Sequence, residues 1–122
     1  MTIANIVNVA TIHGFTKNGA VTTSQVDMLG GAVATHSIVK INTIIIANID
    51  GTNAATVTVS ISTDNGSNYF AIASTVSVPA DATLVAIDKN SAFYLDEGDA
   101  IRVTGSAASD LTYLISGEEI ID

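Results

Sequence analysis

Near the middle of the chain, Thr56-Val57-Thr58-Val59-Ser60-Ile61-Ser62 alternates strictly between polar and apolar side chains. A helix would scatter Val57, Val59 and Ile61 around its circumference, whereas a strand sets all three on one face. Period 2 therefore makes this stretch a half-buried strand, and turn chemistry brackets it. Ahead lies Asp50-Gly51-Thr52-Asn53, where Asx side chains bond their own backbone and glycine tolerates positive φ. Behind lies Asp64-Asn65-Gly66-Ser67-Asn68, whose Asn-Gly pair between two apolar runs is the strongest short hairpin signal.

The same grammar recurs along the chain. Ile38 to Ile49 reads as a strand with Val39, Ile41, Ile44 and Ile46 as core candidates. Tyr69 to Val78 reads as another, closed by Pro79 and the corner Ala80-Asp81. Thr83 to Ile87, Phe93 to Leu95, Ile101 to Thr104 and Leu111 to Ile115 follow, separated by Asp88-Lys89-Asn90, Asp96-Glu97-Gly98-Asp99 and the 107–110 loop. In the first third, Ile3 to Ile12 alternates, Phe15 to Met28 is extended, and Leu29-Gly30-Gly31-Ala32 is a flexible break. Strands spaced roughly 8–12 residues apart with a turn at each break predict an all-β fold. The expectation is an antiparallel β-sandwich of about eight strands, with jelly-roll and immunoglobulin-like connectivities both open. Residues 1–122 are expected to form one domain, with 1–35 an arm or added strands at subunit contacts.

Composition narrows the function. Among 122 residues, 48% are apolar and only 13% charged, against about 25% charged in ordinary soluble domains. Thr, Ser and Asn must cover much of the surface, and a partner is expected to cover part of the rest. Twelve acidic residues against four basic ones give a net charge of −8, the wrong sign for a nucleic-acid binder. Lys17, Lys40, Lys89 and Arg102 form no basic run. Apolar runs such as Ile44-Ile45-Ile46-Ala47 fall far short of the roughly 20 residues that span a bilayer. Met1-Thr2-Ile3-Ala4-Asn5 offers neither a basic nor a continuous apolar region, so no secretory signal is expected. With no cysteine there is no disulfide, thiolate site or thiol nucleophile.

Catalytic constellations are not legible. His13 and His36 have no second ligand at metal spacing and read as strand-end or surface residues. Asp96, Glu97 and Asp99 share one turn and are the sole candidates for a cation, with calcium as the ion such oxygens suit. Turn geometry around Gly98 accounts for the same residues without a ligand. The 64–68 segment lacks the glycine spacing and closing glutamate of an EF-hand. There is no Gly-x-Ser-x-Gly, and Gly30-Gly31 lacks the spacing of a phosphate-binding loop. Three Phe, three Tyr and no Trp furnish a sugar-stacking cleft poorly. Tyr69, Tyr94 and Tyr113 read as core-edge packing with the hydroxyl at the rim. Neither an enzyme nor a cofactor is expected.

From about residue 40 onward the elements follow a distinctive order. Ile44-Ile45-Ile46-Ala47-Asn48 with Asp50-Gly51 precedes the alternating strand, then Ser62-Thr63-Asp64-Asn65-Gly66 and Tyr69. Val78-Pro79-Ala80 with Thr83-Leu84 comes next, then Tyr94-Leu95-Asp96-Glu97-Gly98-Asp99 with Ile101-Arg102-Val103. Asp110-Leu111 through Ile115-Ser116 to Glu118-Glu119-Ile120 closes the series. This ordered set resembles small β-sandwich virion structural proteins of tailed bacteriophages, with Asp81 departing from the glycine expected in the Val-Pro-Ala corner. The resemblance implies a capsid decoration (cement) protein acting on the major capsid protein, or a neck, tail or fibre-attachment module. It implies a homo-oligomer, with a trimer expected, located on the virion after assembly in the host cytoplasm, without nucleic-acid or membrane partners. A calcium- or carbohydrate-binding sandwich is the alternative from another class.

Overall fold

The computed structural model describes Val7 and residues 9–122. Its strands are β1 (Thr11–Val21), β2 (Val26–Asp27), β3 (Ser37–Asn48), β4 (Ala55–Ser62), β5 (Phe70–Val78), β6 (Thr83–Ile87), β7 (Phe93–Leu95), β8 (Ala100–Gly105) and β9 (Leu111–Ile121). A single 3₁₀ turn, Lys89–Ser91, separates β6 from β7. The part of Ile3 to Ile12 that precedes Val7 lies outside the described residues, as does Asn8.

Two antiparallel sheets form the sandwich. The first runs β1-β9-β3, with β6 and β7 following one another along the far side of β3; the second runs β2-β8-β4-β5. Only β4 and β5 are both consecutive and neighbours within the second sheet, so most connections cross between sheets. An immunoglobulin sandwich instead keeps several consecutive strands side by side. Residues 11–27, within the stretch expected to be an arm or added strands, supply one strand to each sheet.

The core lies between the sheets. Val21, Ile41, Ile44, Ile46, Leu111 and Ile115 meet Val57, Val59, Val78, Ile101 and Val103, all buried. Each such side chain stabilises the fold by about 1.5–3 kcal/mol relative to an exposed one. Met28, Val33 and Leu95 close the core at the loops. In β3 the apolar phase slips: the register against β9 shifts between Ile41 and Thr43. This bulge lets Ile41 and Ile44, three residues apart, both face inward.

Turn residues behave as their chemistry dictates. Asn65 (φ 65°) and Gly66 (φ 84°) are both left-handed, the pairing that hairpin turns require. Asp81 adopts φ 59°, the conformation for which glycine was expected at this corner. Asp50 Oδ1 accepts from the amides of Thr52 (2.7 Å) and Asn53 (3.2 Å). Asn48 is buried with its partners complete: its amide donates to the carbonyls of Asn53 and Val78, and its oxygen accepts from Asp50 N. It thereby ties the end of β3 to the end of β5 across the sandwich.

Candidate functional site

The 96–99 turn, singled out from sequence, fastens two parts of the chain together. Asp99 N donates to Asp96 O (2.9 Å), and Asp96 N returns a bond to Asp99 Oδ2 (2.8 Å). Gly98 N donates to Val33 O and Val33 N to Asp99 O. Glu97 Oε2 accepts from the backbone amide of His36, whose φ is 63°. The Asp99 carboxylate therefore caps the turn and the Glu97 carboxylate anchors the loop before β3, while Asp96 takes part through its backbone. Asp99 is buried and its Oδ1 has no partner among the described residues. Burial raises its proton affinity above the usual carboxylate range; the Asp96 amide opposes this and the Asp96 charge adds to it. Among the described residues no group of three or more His, Asp or Glu side chains is placed to hold a metal ion.

Both histidines meet acids that sequence spacing did not reveal. His13 Nε2 lies 3.1 Å from Glu119 Oε1, and His36 Nδ1 lies 3.4 Å from Asp122 Oδ1. The partners come from the last residues of β9 and from just past its end, brought alongside by the β1–β9 and β3–β9 pairings. The tyrosines diverge. Tyr113 is in the core, where a Cβ on Gly19 would come within 3.0 Å of its ring. Tyr94 is exposed beside Lys40, and Tyr69 lies under Arg102, whose guanidinium carbon is 4.3 Å from the ring centroid.

The surface with the clearest physical signature is the outer face of the first sheet. Because Leu111, Tyr113 and Ile115 point inward, Thr112, Leu114 and Ser116 point outward. The register then lays out rows across the sheet. Asn18, Leu114, Ile45 and Val85 make one; Ala20, Thr112, Ala47 and Thr83 make the next; Thr16, Ser116 and Thr43 lie on the other side. None of these residues carries a charge. Val85 is 55% exposed, and a shallow hollow of about 400 Å³ opens around Ile45, Ala47, Thr112 and Leu114. The first charges on this face are Lys40 and Glu118, paired across β3 and β9 beyond the Ser116 row. Low charge was visible in the sequence as a total; its concentration on one face appears only once register is known.

No protein-family model matches the chain, and no curated protein matches it. Solved structures do. The chain is similar to a chain of the acid-stable capsid of Helicobacter pylori bacteriophage KHP30, at 8% identity and TM-score 0.50, covering 93% of this chain and 90% of that one. It is also similar to the Drosophila NLP core, described for pentamer formation and histone binding, at 14% identity and TM-score 0.46 over 88% of this chain and 96% of that one. A pentameric capsid protein from metagenomic phage sequences is similar at 13% identity and TM-score 0.39 over 87% of this chain, which spans 60% of that one. At these identities the likeness is one of fold: the chain shares the two-sheet β architecture of a phage capsid chain.

Proposed function

We propose that this chain is a phage virion structural protein of jelly-roll connectivity, a capsid decoration protein. In this reading copies associate, as a trimer, through the uncharged outer face of the first sheet and stabilise the head through contacts with the major capsid protein. The strand order β1-β9-β3-β6/β7 against β2-β8-β4-β5 fits two interleaved Greek keys. The charge-free face carries the reading. Copies bearing a charge of −8 repel one another, and this face is where they meet without burying a carboxylate. Interface centres are depleted in charge in the same way. The likeness to the KHP30 capsid chain supports a place on the virion, and within this reading the place is the capsid surface and not the neck or tail. No catalysis or cofactor is part of this reading.

Light scattering coupled to size exclusion tests it, with Val85→Lys as the probe. Lysine lowers the net negative charge, so a loss of association cannot come from added overall repulsion and must come from changing the face itself. The expected result is a trimer for the native chain and, for the variant, a folded monomer that still unfolds in one cooperative transition but without the concentration-dependent stabilisation of the trimer. A native monomer, together with particles that lack the protein yet keep full heat resistance, overturns the reading. Copy number per particle separates the locations: hundreds place it on the head, a handful to a few dozen in the neck or tail.

A further inference from the structure

The outer face of the second sheet carries a polar cavity that has no part in the proposed association. Its volume is about 320 Å³, and Asp27, Asn65, Tyr69 and Arg102 line it around the backbone of Gly66 and Gly98. Arg102, the chain's one arginine, points outward from β8 because Ile101 and Val103 on either side point into the core. Its guanidinium is held twice: Nε donates to Asp27 Oδ1 at 3.0 Å, and the group stacks on Tyr69 at 4.3 Å. The terminal amino groups of Arg102, Asp27 Oδ2 and the Asn65 amide have no protein partner among the described residues. The rim is fixed in advance. Asp64 accepts from Asn68 N and Nδ2, and Ser62 Oγ accepts from Gly66 N at 2.9 Å, which locks the 63–69 loop.

Charge selects the ligand. Arg102 and Asp27 neutralise each other, so a free cation meets the guanidinium. A free anion meets Asp27, with Asp64 and the 96–99 turn near the rim. What fits is a neutral group offering donors and acceptors side by side. Vicinal hydroxyls do this, each donating to the carboxylate while accepting from the guanidinium, with Asn65 able to do both. The cavity matches the low end of small-ligand pockets, about 300 Å³. We propose that this cavity binds a neutral saccharide residue through vicinal hydroxyls. The proposal is independent of the virion reading, and covering the first sheet leaves this face open.

The test is a ¹H–¹⁵N NMR titration with D-glucose, D-galactose, D-mannose and N-acetyl-D-glucosamine. Each is taken to about 50 mM, above the millimolar Kd that a small open pocket gives. Sodium acetate and calcium chloride run in parallel. At least one saccharide should shift the amides of Gly66, Gly98 and Arg102 saturably. Asn65→Gly keeps the left-handed backbone and should weaken binding about tenfold at unchanged melting temperature. Asp27→Asn should weaken it comparably, and the glycine variant keeps the result readable where loosening Arg102 costs stability. The proposal is overturned by no saturable shift with any of the four sugars, by shifts centred elsewhere, by saturable binding of acetate or calcium here instead, or by binding indifferent to Asn65→Gly.

Discussion

A Cβ on Gly117 would land on the Lys40 carbonyl oxygen and lie 3.3 Å from Ile41 Cα, because the β3 bulge presses its backbone against β9 at this point. Backbone cannot swing aside as a side chain can, so Gly117→Ala should cost about 3 kcal/mol in chemical denaturation. Among the described residues a Cβ on Gly14, one strand away, meets only the Gly117 carbonyl at 3.7 Å, and Gly14→Ala should change stability by about 0.5 kcal/mol or less. Titration works at the same scale. The folded state holds the Asp99 proton more tightly than the unfolded chain, because burial raises its affinity. The stability tied to this group is therefore lost as pH rises from the ordinary carboxylate value of about 3.9 through the raised one. Asp50 and Asp64 run the other way. The backbone amides of Thr52 and Asn53 lower Asp50, and the Asn68 amide lowers Asp64, so their contribution is present above the ordinary value and lost as pH falls. Urea denaturation across the acid range should show Asp99→Asn losing ground to the native chain at low pH and recovering it toward neutrality. Asp64→Asn should show a flatter acid decline than the native chain.

Among the elements, β5 shows how an exposed edge is managed. Between Val57 and Ser60 its register against β4 slips twice, and Thr75 in the slipped segment has φ 45°. Bulges of this kind bend an edge strand and blunt it as a template for further pairing. A β-branched residue at positive φ is strained, even with its amide bonded to Thr58 Oγ1 at 2.9 Å. Thr75→Gly should therefore raise stability by about 1 kcal/mol, measured as a shift in denaturation midpoint at constant slope. Strands whose inward residues alternate without interruption, such as Val57 and Val59, were legible in the sequence. So were the corners, since Asn65-Gly66 and Asp81 sit in the conformations their chemistry implies. The β3 bulge was not, because one extra residue breaks period 2 without any marker at Asn42. Nor was the far half of β9: Ser116-Gly117-Glu118-Glu119 has a turn's composition, and strands pairing on both of its sides hold it extended. For the candidate site, sequence marked the 96–99 turn as a turn but could not show that Glu97 anchors His36, a partner 61 residues away. The uncharged face was equally hidden, since its rows combine residues from four separate strands.

For the molecule as a whole, charge and that face act against each other. A chain of −8 repels its copies over the Debye length, about 10 Å at 0.1 M salt. If the uncharged face is the contact, self-association should strengthen as salt rises; contacts built on ion pairs weaken instead. Sedimentation at low and high salt distinguishes them. The interleaved strand order bears also on the order in which the protein is made. β9 lies between β1 and β3, and β8 between β2 and β4, so the central strand of each sheet leaves the ribosome after the strands it joins. Neither sheet can close on a nascent chain until translation has passed β8 and β9. β1 and β2 must wait for partners far downstream, Thr11 for Ile121 and Val26 for Val103, and refolding should be slow, in milliseconds to seconds. An incomplete copy lacking β9 presents no finished outer face, so under the proposed association a half-made subunit would have nothing with which to join its copies.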